Sequence, residues 1–266
     1  MPVSRRAIVI TGASSGIGAA LALRMGAAGW RVALGARREN ELRAIAGKAA
    51  SDAVAVVGDV TRRADVERLR DEALAAFGAI DVWINNAGRG IARNVLDLTD
   101  DDFDEMMAVN VKSALYGMQS IVPYFIERER GHVINVSSFL GRVPLAGHRS
   151  AYNAAKAALN ALTANLRVDL AVKHPGIHVS LVMPGLVSTE FAHNAIGGGP
   201  APSWTSAGGA LPAGAMKPQT AEEVAEAIAS LIEHPAAEIY TNPASSPLAR
   251  RYYEDVGAFE AGMAKS

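Results

Sequence analysis

Apolar and polar positions repeat along the chain as a unit: a short β-branched run, a glycine- or asparagine-marked turn, then a longer stretch in which apolar residues recur every three or four positions. Ala7 to Thr11 reads as the first strand, and Gly12-Ala-Ser-Ser-Gly16-Ile-Gly18 leads from it into an alanine-rich helix ending at about Ala28. Further strands are predicted at Arg31–Ala36, Ala53–Val57, Ile80–Ile84, His132–Val136 and Ile177–Met183. Between them the pattern predicts helices at Glu39–Ala50 and Arg62–Phe77, a long one from the acidic start Thr99-Asp-Asp-Asp102 through about Arg128, and another at Ser150–Lys173. An amphipathic helix, Thr220–Glu233, precedes a short strand, Glu238–Thr241, and a tail with Arg250, Arg251 and two tyrosines. Strands alternating with helices predict an α/β fold: a doubly wound parallel sheet of about seven strands with helices on both faces.

At 266 residues and 50% hydrophobic, the chain is read as a single domain over residues 1–266. Between Ser188 and Pro218 the composition shifts to glycine, proline, alanine and serine, including Gly197-Gly-Gly199. A connection of that length in a compact domain predicts a lid or substrate loop at about 188–218. The 26 basic and 27 acidic side chains nearly cancel, which gives no reason to expect nucleic acid or an anionic membrane as partner. Without cysteine there is no disulfide, thiolate metal site or cysteine nucleophile. The start is basic and lacks an apolar signal core, and no later apolar run would span a bilayer, so a cytoplasmic location is expected. No cluster of histidines and carboxylates has metal-ligand spacing, and no catalytic metal is expected.

The chemistry concentrates between Asn135 and Lys156. Tyr152 and Lys156 are four residues apart in a predicted helix, so both leave one face. An ammonium beside a phenol favours the phenolate, bringing a group whose ordinary pKa is about 10 nearer to neutral exchange. The glycines after the first strand let the backbone turn tightly and approach a pyrophosphate at a helix N-terminus. About 20 residues further on, where an acid would hold a ribose 2′-hydroxyl, the chain has Ala36-Arg37-Arg38. Two guanidiniums suit a 2′-phosphate, which favours NADP(H), with NAD(H) the alternative; Arg38 could instead simply begin the following helix. Asp59 sits at a strand end, where it could contact adenine or cap a helix. Asn85-Asn86 reads as a pair of amides holding backbone together around a ligand, and Asn110 as a helix-interior asparagine with a specific partner.

With Thr11-Gly12-Ala-Ser-Ser-Gly16-Ile-Gly18, Asn85-Asn86-Ala87-Gly88, Asn110, Ser138, Tyr152-x-x-x-Lys156 and Pro184-Gly185 in this order, the chain resembles a short-chain dehydrogenase/reductase over roughly Arg5 to Thr241. The resemblance implies a Rossmann-like sheet, with Tyr152 as the acid or base, Lys156 lowering its pKa and holding the nicotinamide ribose, and Ser138 holding the substrate oxygen. Asn110 would position a water linking Lys156 to solvent. Gly12, Ser14, Ser15, Gly16, Ile17 and Gly18 would form the phosphate loop, Asp59 and Val60 the adenine site, and Asn86, Ala87 and Gly88 the adenosine wall. Pro184, Gly185, Val187 and Thr189 would face the carboxamide. Arg37 matches the basic residue of NADP-preferring members, whereas Ser15 does not match their second basic position. Ser138 lies one residue farther from Tyr152 than in similar enzymes, and the extra residue is placed in the turn Leu145–Ser150.

The expected reaction is reversible hydride transfer between NADP(H) and a ketone or secondary alcohol, as in a carbonyl reductase or alcohol dehydrogenase. The alternatives are an NAD-linked dehydrogenase of a polyol or hydroxysteroid-like alcohol, and a catalytically inert NADP(H)-binding regulatory protein. Phe139, Leu140, Val143, Leu145, His148, Phe191 and Trp204 are the pocket candidates and favour an apolar ketone; His193 could meet a polar group. Ala154, Ala158, Leu162 and Leu166 extend the apolar face of the Tyr152 helix beyond one core stripe, so a homodimer or homotetramer is expected.

Overall fold

The computed structural model describes residues 5–191, 194–197 and 217–264. Seven strands form one parallel sheet: β1 (Ala7–Thr11), β2 (Arg31–Ala36), β3 (Val54–Val57), β4 (Val82–Asn85), β5 (Gly131–Val136), β6 (Ile177–Met183) and β7 (Glu238–Tyr240), in spatial order β3-β2-β1-β4-β5-β6-β7. The helices α1 (Gly16–Ala27), α2 (Glu39–Ala49), α3 (Arg63–Phe77), α4 (Asp100–Met107), α5 (Ser113–Glu127), α6 (Ser150–Ala171) and α7 (Ala221–Glu233) connect them. Strand alternation sorts the core into two layers. Ile8 and Ile10 of β1 pack with Leu21, Leu34 and Val224 on the side of α1, α2 and α7, while Ala7 and Val9 pack with Leu69, Trp83 and Phe125 on the side of α3, α5 and α6. Burial on both faces explains why these strands read as continuous apolar runs.

The strand order reverses between β1 and β4, and doubly wound sheets open their ligand crevice at the carboxyl ends of such strands. No helix among the described residues is long and apolar enough to cross a membrane.

The helix predicted from Thr99 through about Arg128 runs continuously over that span: α4 starts on a reciprocal cap between Thr99 and Asp102 and passes through one π-helical turn, Ala108–Lys112, into α5, a detail that the apolar pattern does not show. Asn110 lies in that turn, its amide donating to the Met106 and Arg89 carbonyls at 3.1 and 2.9 Å. A side chain that competes for the helix's own carbonyls is a physical cause for the widened turn. The tail is also helical, as α8 (Ser245–Glu254) and α9 (Val256–Ala264). Leu248, Ala249 and Phe259 pack there on Phe139, Val143 and Leu145, covering the turn that follows β5. Short segments such as these gain their helicity from that tertiary burial.

On β5, His132 is buried, its Nε2 2.8 Å from Ser180 Oγ, which in turn donates to the Ala236 carbonyl at 2.5 Å. Nε2 therefore carries the proton, and Nδ1 has no partner among the described residues. Burial, aided by the nearby His178, pushes the imidazole down to about 3. Below the ordinary His pKa of about 6.5 the unfolded chain binds a proton that the folded one refuses, so stability is retained above 6.5 and lost as pH falls towards 3, by about 1.4 kcal/mol per pH unit. Urea unfolding at pH 7, 5.5 and 4.5 should show His132→Leu losing close to one proton's worth of that slope relative to wild type. An unchanged slope would rule out the buried neutral imidazole as its source.

Candidate active site

The cleft at the carboxyl ends of the strands is held open by hydrogen bonds between β1 and β4. Thr11 Oγ1 accepts from the Asn86 and Ala87 amides at 3.0 and 3.2 Å, and Asn86 Nδ2 donates to the Thr11 and Gly12 carbonyls at 2.9 and 3.2 Å. Asn86 thus holds backbone together beside the cleft, whereas Asn85 turns into the core, joining Trp83, Ala114 and Asn135. Gly12 takes φ +68°, and a Cβ there would stand 2.8 Å from Ala87 Cα, so the turn admits only glycine. Gly18 lies behind this turn: its Cβ would come within 2.5 Å of the Gly12 carbonyl oxygen, and it serves the packing of α1 on the loop without lining the cleft. α1 begins at an N-cap, Ser15, that makes no side-chain cap, leaving its first N–H groups for an anion.

Arg38 lies along this loop, its Nη2 2.5 Å from Ser15 Oγ and its Nε 3.2 Å from Ser14 Oγ, with Glu190 3.6 Å from Nη1. Its side chain does not cap α2, and it brings positive charge to the place where Ser15 has none. Arg37 lines the same end and is exposed. Asp59 Oδ1 accepts from the Thr61 amide and hydroxyl at 2.9 and 2.8 Å, a local turn at the cleft wall.

At the other end β5 delivers Ser138, and α6 delivers Tyr152 and Lys156 from one face. Ser138 Oγ accepts from the Leu140 amide at 3.1 Å. Ser137 turns the opposite way, its hydroxyl donating to Asn160 Oδ1 at 2.5 Å. Tyr152 packs edge-on against Phe191 with ring centroids 5.5 Å apart. Lys156 is buried, Nζ donating to the Val136 carbonyl at 3.0 Å and lying 5.7 Å from the Tyr152 ring centre. Burial dominates both titrations. It pushes the phenol up to about 12 against the lowering effects of a hydrogen bond with Ser138 and the charge of Arg149, and it pushes the Lys156 ammonium down to about 7. Burial thus sets the direction of the phenol's shift, and the cation that lowers it is Arg149.

Asn110 stands behind this end: its Oδ1 accepts from the Arg89 amide at 3.3 Å, and a Cβ on Gly88 would lie 2.9 Å from that oxygen and 3.5 Å from Lys156 Nζ. The amide is occupied with backbone, so its observed part is to fix the Gly88–Arg89 strand end beside Lys156.

The whole cleft has a volume of about 800 Å³. Of the residues singled out from sequence, Gly12, Ser14–Ile17, Arg37, Arg38, Asp59, Val60, Asn86–Gly88, Ser138, Tyr152, Lys156, Pro184, Gly185, Val187 and Thr189 line it, and Gly18 and Asn110 do not. Phe139, Leu140, Leu145 and Phe191 line it as well; Val143 is instead core beside α8, and His148 is outside the lining. His193, Trp204 and residues 198–216 of the expected lid lie outside the described residues. Among the described residues no group of three histidines or carboxylates is placed to hold a metal.

Sequence reasoning missed Arg149, which lines the cleft, and the continuation of the buried polar stripe of α6 beyond Lys156 to Asn160 and Thr163. The signal was present, since Asn160 and Thr163 continue the helical spacing of Tyr152 and Lys156.

The phosphate loop, with its positive-φ glycines, free helix N-terminus and flanking guanidiniums, fits a dinucleotide, and comparison with known proteins agrees. Residues 6–197 match the family model for short chain dehydrogenases. The chain is 34% identical over 189 residues to an uncharacterised oxidoreductase of Staphylococcus epidermidis, spanning 71% of this chain and 81% of the relative. The structure of a short-chain dehydrogenase/reductase from Burkholderia phymatum in complex with NAD superposes with a TM-score of 0.83 at 26% identity, covering 97% of this chain and 96% of that one. A closed form of serine dehydrogenase complexed with NADP+ superposes with a TM-score of 0.78 at 27% identity, covering 89% and 94%.

Proposed function

The chain belongs to the short-chain dehydrogenase/reductase family and is an oxidoreductase, and we propose that it transfers hydride reversibly between NADP(H) and a ketone or secondary alcohol, with Tyr152 as acid and base. The observation that carries this reading is the meeting of Ser138, Tyr152 and Lys156 at one end of a cleft whose other end is a glycine loop flanked by Arg37 and Arg38.

When bound, the nicotinamide supplies or accepts the hydride. The residues of the chain do the rest. Ser138 and Tyr152 present hydroxyls to the carbonyl oxygen, whose charge grows as its carbon is reduced; donors fixed there stabilise that charge in a water-poor site. Tyr152 then gives its proton to the oxygen. The resulting tyrosinate is carried by the ammonium of Lys156 and the guanidinium of Arg149, and Lys156, poised near neutrality, restores the proton. A phenol at about 12 holds its proton until charge appears on the substrate oxygen, which suits an acid; in the oxidation direction, the same cations lower the cost of taking the proton. Asn110 keeps the Gly88–Arg89 segment in place beside Lys156, and a water held there would connect the amine to solvent.

Arg38 and Arg37 would bind the 2′-phosphate of NADP(H). An NAD-linked reading draws on the neighbour solved with NAD and on the exposure of Arg37. The half-exposed stripe Ala158, Leu162 and Leu166 on α6, beside the exposed Ala154, suits pairing with a second copy. Residues 188–218 would act as the substrate loop.

Tyr152→Phe should lower kcat for ketone reduction at least 10³-fold while the Kd for NADPH, read by fluorescence, stays within threefold; near-normal turnover would end this reading. Arg38→Ala with Arg37→Ala should raise the KM for NADPH tenfold or more and that for NADH less than twofold. Equal effects on the two cofactors would remove the 2′-phosphate assignment.

A further inference from the structure

Arg149 is a buried cation without a carboxylate. It is 7% exposed, lines the cleft, and precedes α6 by one residue. Its Nη1 donates to the Ile91 carbonyl at 3.1 Å, and among the described residues the rest of its five-donor fork has no protein acceptor. The neighbouring cleft arginines differ. Arg38 faces Glu190, and Arg89 is paired with Glu105. Residues 192, 193 and 198–216 contain neither aspartate nor glutamate, so the undescribed part of the substrate loop brings no side-chain acid to Arg149.

A guanidinium remains charged under any ordinary condition, and taking it out of water uncompensated costs several kcal/mol. Ile91 offers it one neutral carbonyl, a small return, and the nitrogens left unpaired stay open to the cleft. A planar anion entering there would meet a fork of matching shape. The position is specific too: a Cβ on Gly90 would stand 2.9 Å from Arg149 Nη1 and 2.9 Å from Phe191 Cε1, and Phe191 packs on Tyr152. Arginine, Phe191 and the phenol therefore share one wall. Burial lowers the Arg149 pKa and the phenol of Tyr152 opposes it, which agrees with the lack of a carboxylate nearby among the described residues.

We propose that Arg149 binds the carboxylate of the substrate, so that the preferred substrates are oxo acids and the corresponding hydroxy acids, with the carbonyl at Ser138 and Tyr152 and the apolar remainder against Leu140, Leu145 and Phe191. The substrate class rests on the hydride-transfer reading above; the anion site does not.

Two measurements keep them apart. Calorimetry, with and without saturating NADP+ and at fixed ionic strength, compares unreactive carboxylates (butanoate, hexanoate, phenylacetate) with their amides. Steady-state kinetics compares 3-oxobutanoate, 4-oxopentanoate and phenylpyruvate with their methyl esters. In wild type at least one carboxylate should bind tenfold or more tightly than its amide, and Arg149→Gln should erase that difference. The same substitution should lower kcat/KM for the acids at least 20-fold more than for the esters, the acid-specific loss appearing chiefly in KM and the loss shared by both in kcat, with Arg149→Lys restoring part of the acid preference. Amides binding as well as carboxylates in wild type, or acids and esters falling equally in Arg149→Gln, would overturn the proposal and leave Arg149 as a support for Ile91 or a tuner of Tyr152. Carboxylate binding at Arg149 without turnover of any carbonyl would uphold the anion site and overturn the reductase reading. Reduction of neutral ketones without carboxylate preference would do the reverse.

Discussion

Between α6 and the carboxyl end of β5 runs a seam of buried polar contacts, and the geometry of the cleft follows from it. Asn135 Nδ2 donates to Thr163 Oγ1 at 2.9 Å, Ser137 reaches Asn160, and Asn160 Nδ2 donates to the Gly141 carbonyl at 3.0 Å. Lys156 closes the series on the Val136 carbonyl. Gly141 lets the chain lie against the helix: a Cβ there would be 2.7 Å from the Lys156 carbonyl carbon. Each of these polar groups would cost about 1–3 kcal/mol if left buried and unpaired, so the helix has one satisfactory register on the strand. That register carries Tyr152 to Ser138. A helix turned by a single residue would rotate the phenol by about 100° and out of the cleft.

The cleft is also organised by charge. Positive groups follow its length: Arg37 and Arg38 beside the glycine loop, the N-terminus of α1, then Lys156 and Arg149 at the end that holds Tyr152. At the loop end these suit the phosphates of a dinucleotide. At the reactive end burial is the larger force, raising the phenol and lowering the amine to about 7, so the phenol keeps its proton while the amine can hold or release one near neutral pH. Such an arrangement favours the oxyanion of a reduced carbonyl and, by the same electrostatics, a carboxylate on the substrate that brings it.

Much of this was legible in the sequence because the signals were local. Strand runs buried on both faces, the glycine turn after β1, and the four-residue spacing of Tyr152 and Lys156 each follow from backbone geometry over a few residues. What escaped depended on distant partners. At the π-helical turn the Asn110 amide is shared between the local Met106 carbonyl and one 21 residues back, at Arg89, and the second partner is invisible in the local pattern. α8 and α9 are held by Phe139 and Leu145, about 100 residues earlier in the chain. The four-residue spacing of Tyr152 and Lys156 says nothing of the burial that raises the phenol and lowers the amine. Arg149 carries no signal in its own neighbourhood of the sequence, because its burial depends on Gly90, Ile91 and Phe191.

The most direct test of the seam's role is the kinetics of Asn160→Ala, a residue that touches neither end of the proposed reaction. If the docking of α6 on β5 places the phenol, kcat for ketone reduction falls tenfold or more, with the Kd for NADPH within threefold of wild type and cooperative unfolding retained. Unchanged kcat in a folded Asn160→Ala protein would contradict it, because the phenol would then be held in place by something other than the docking of α6 on β5.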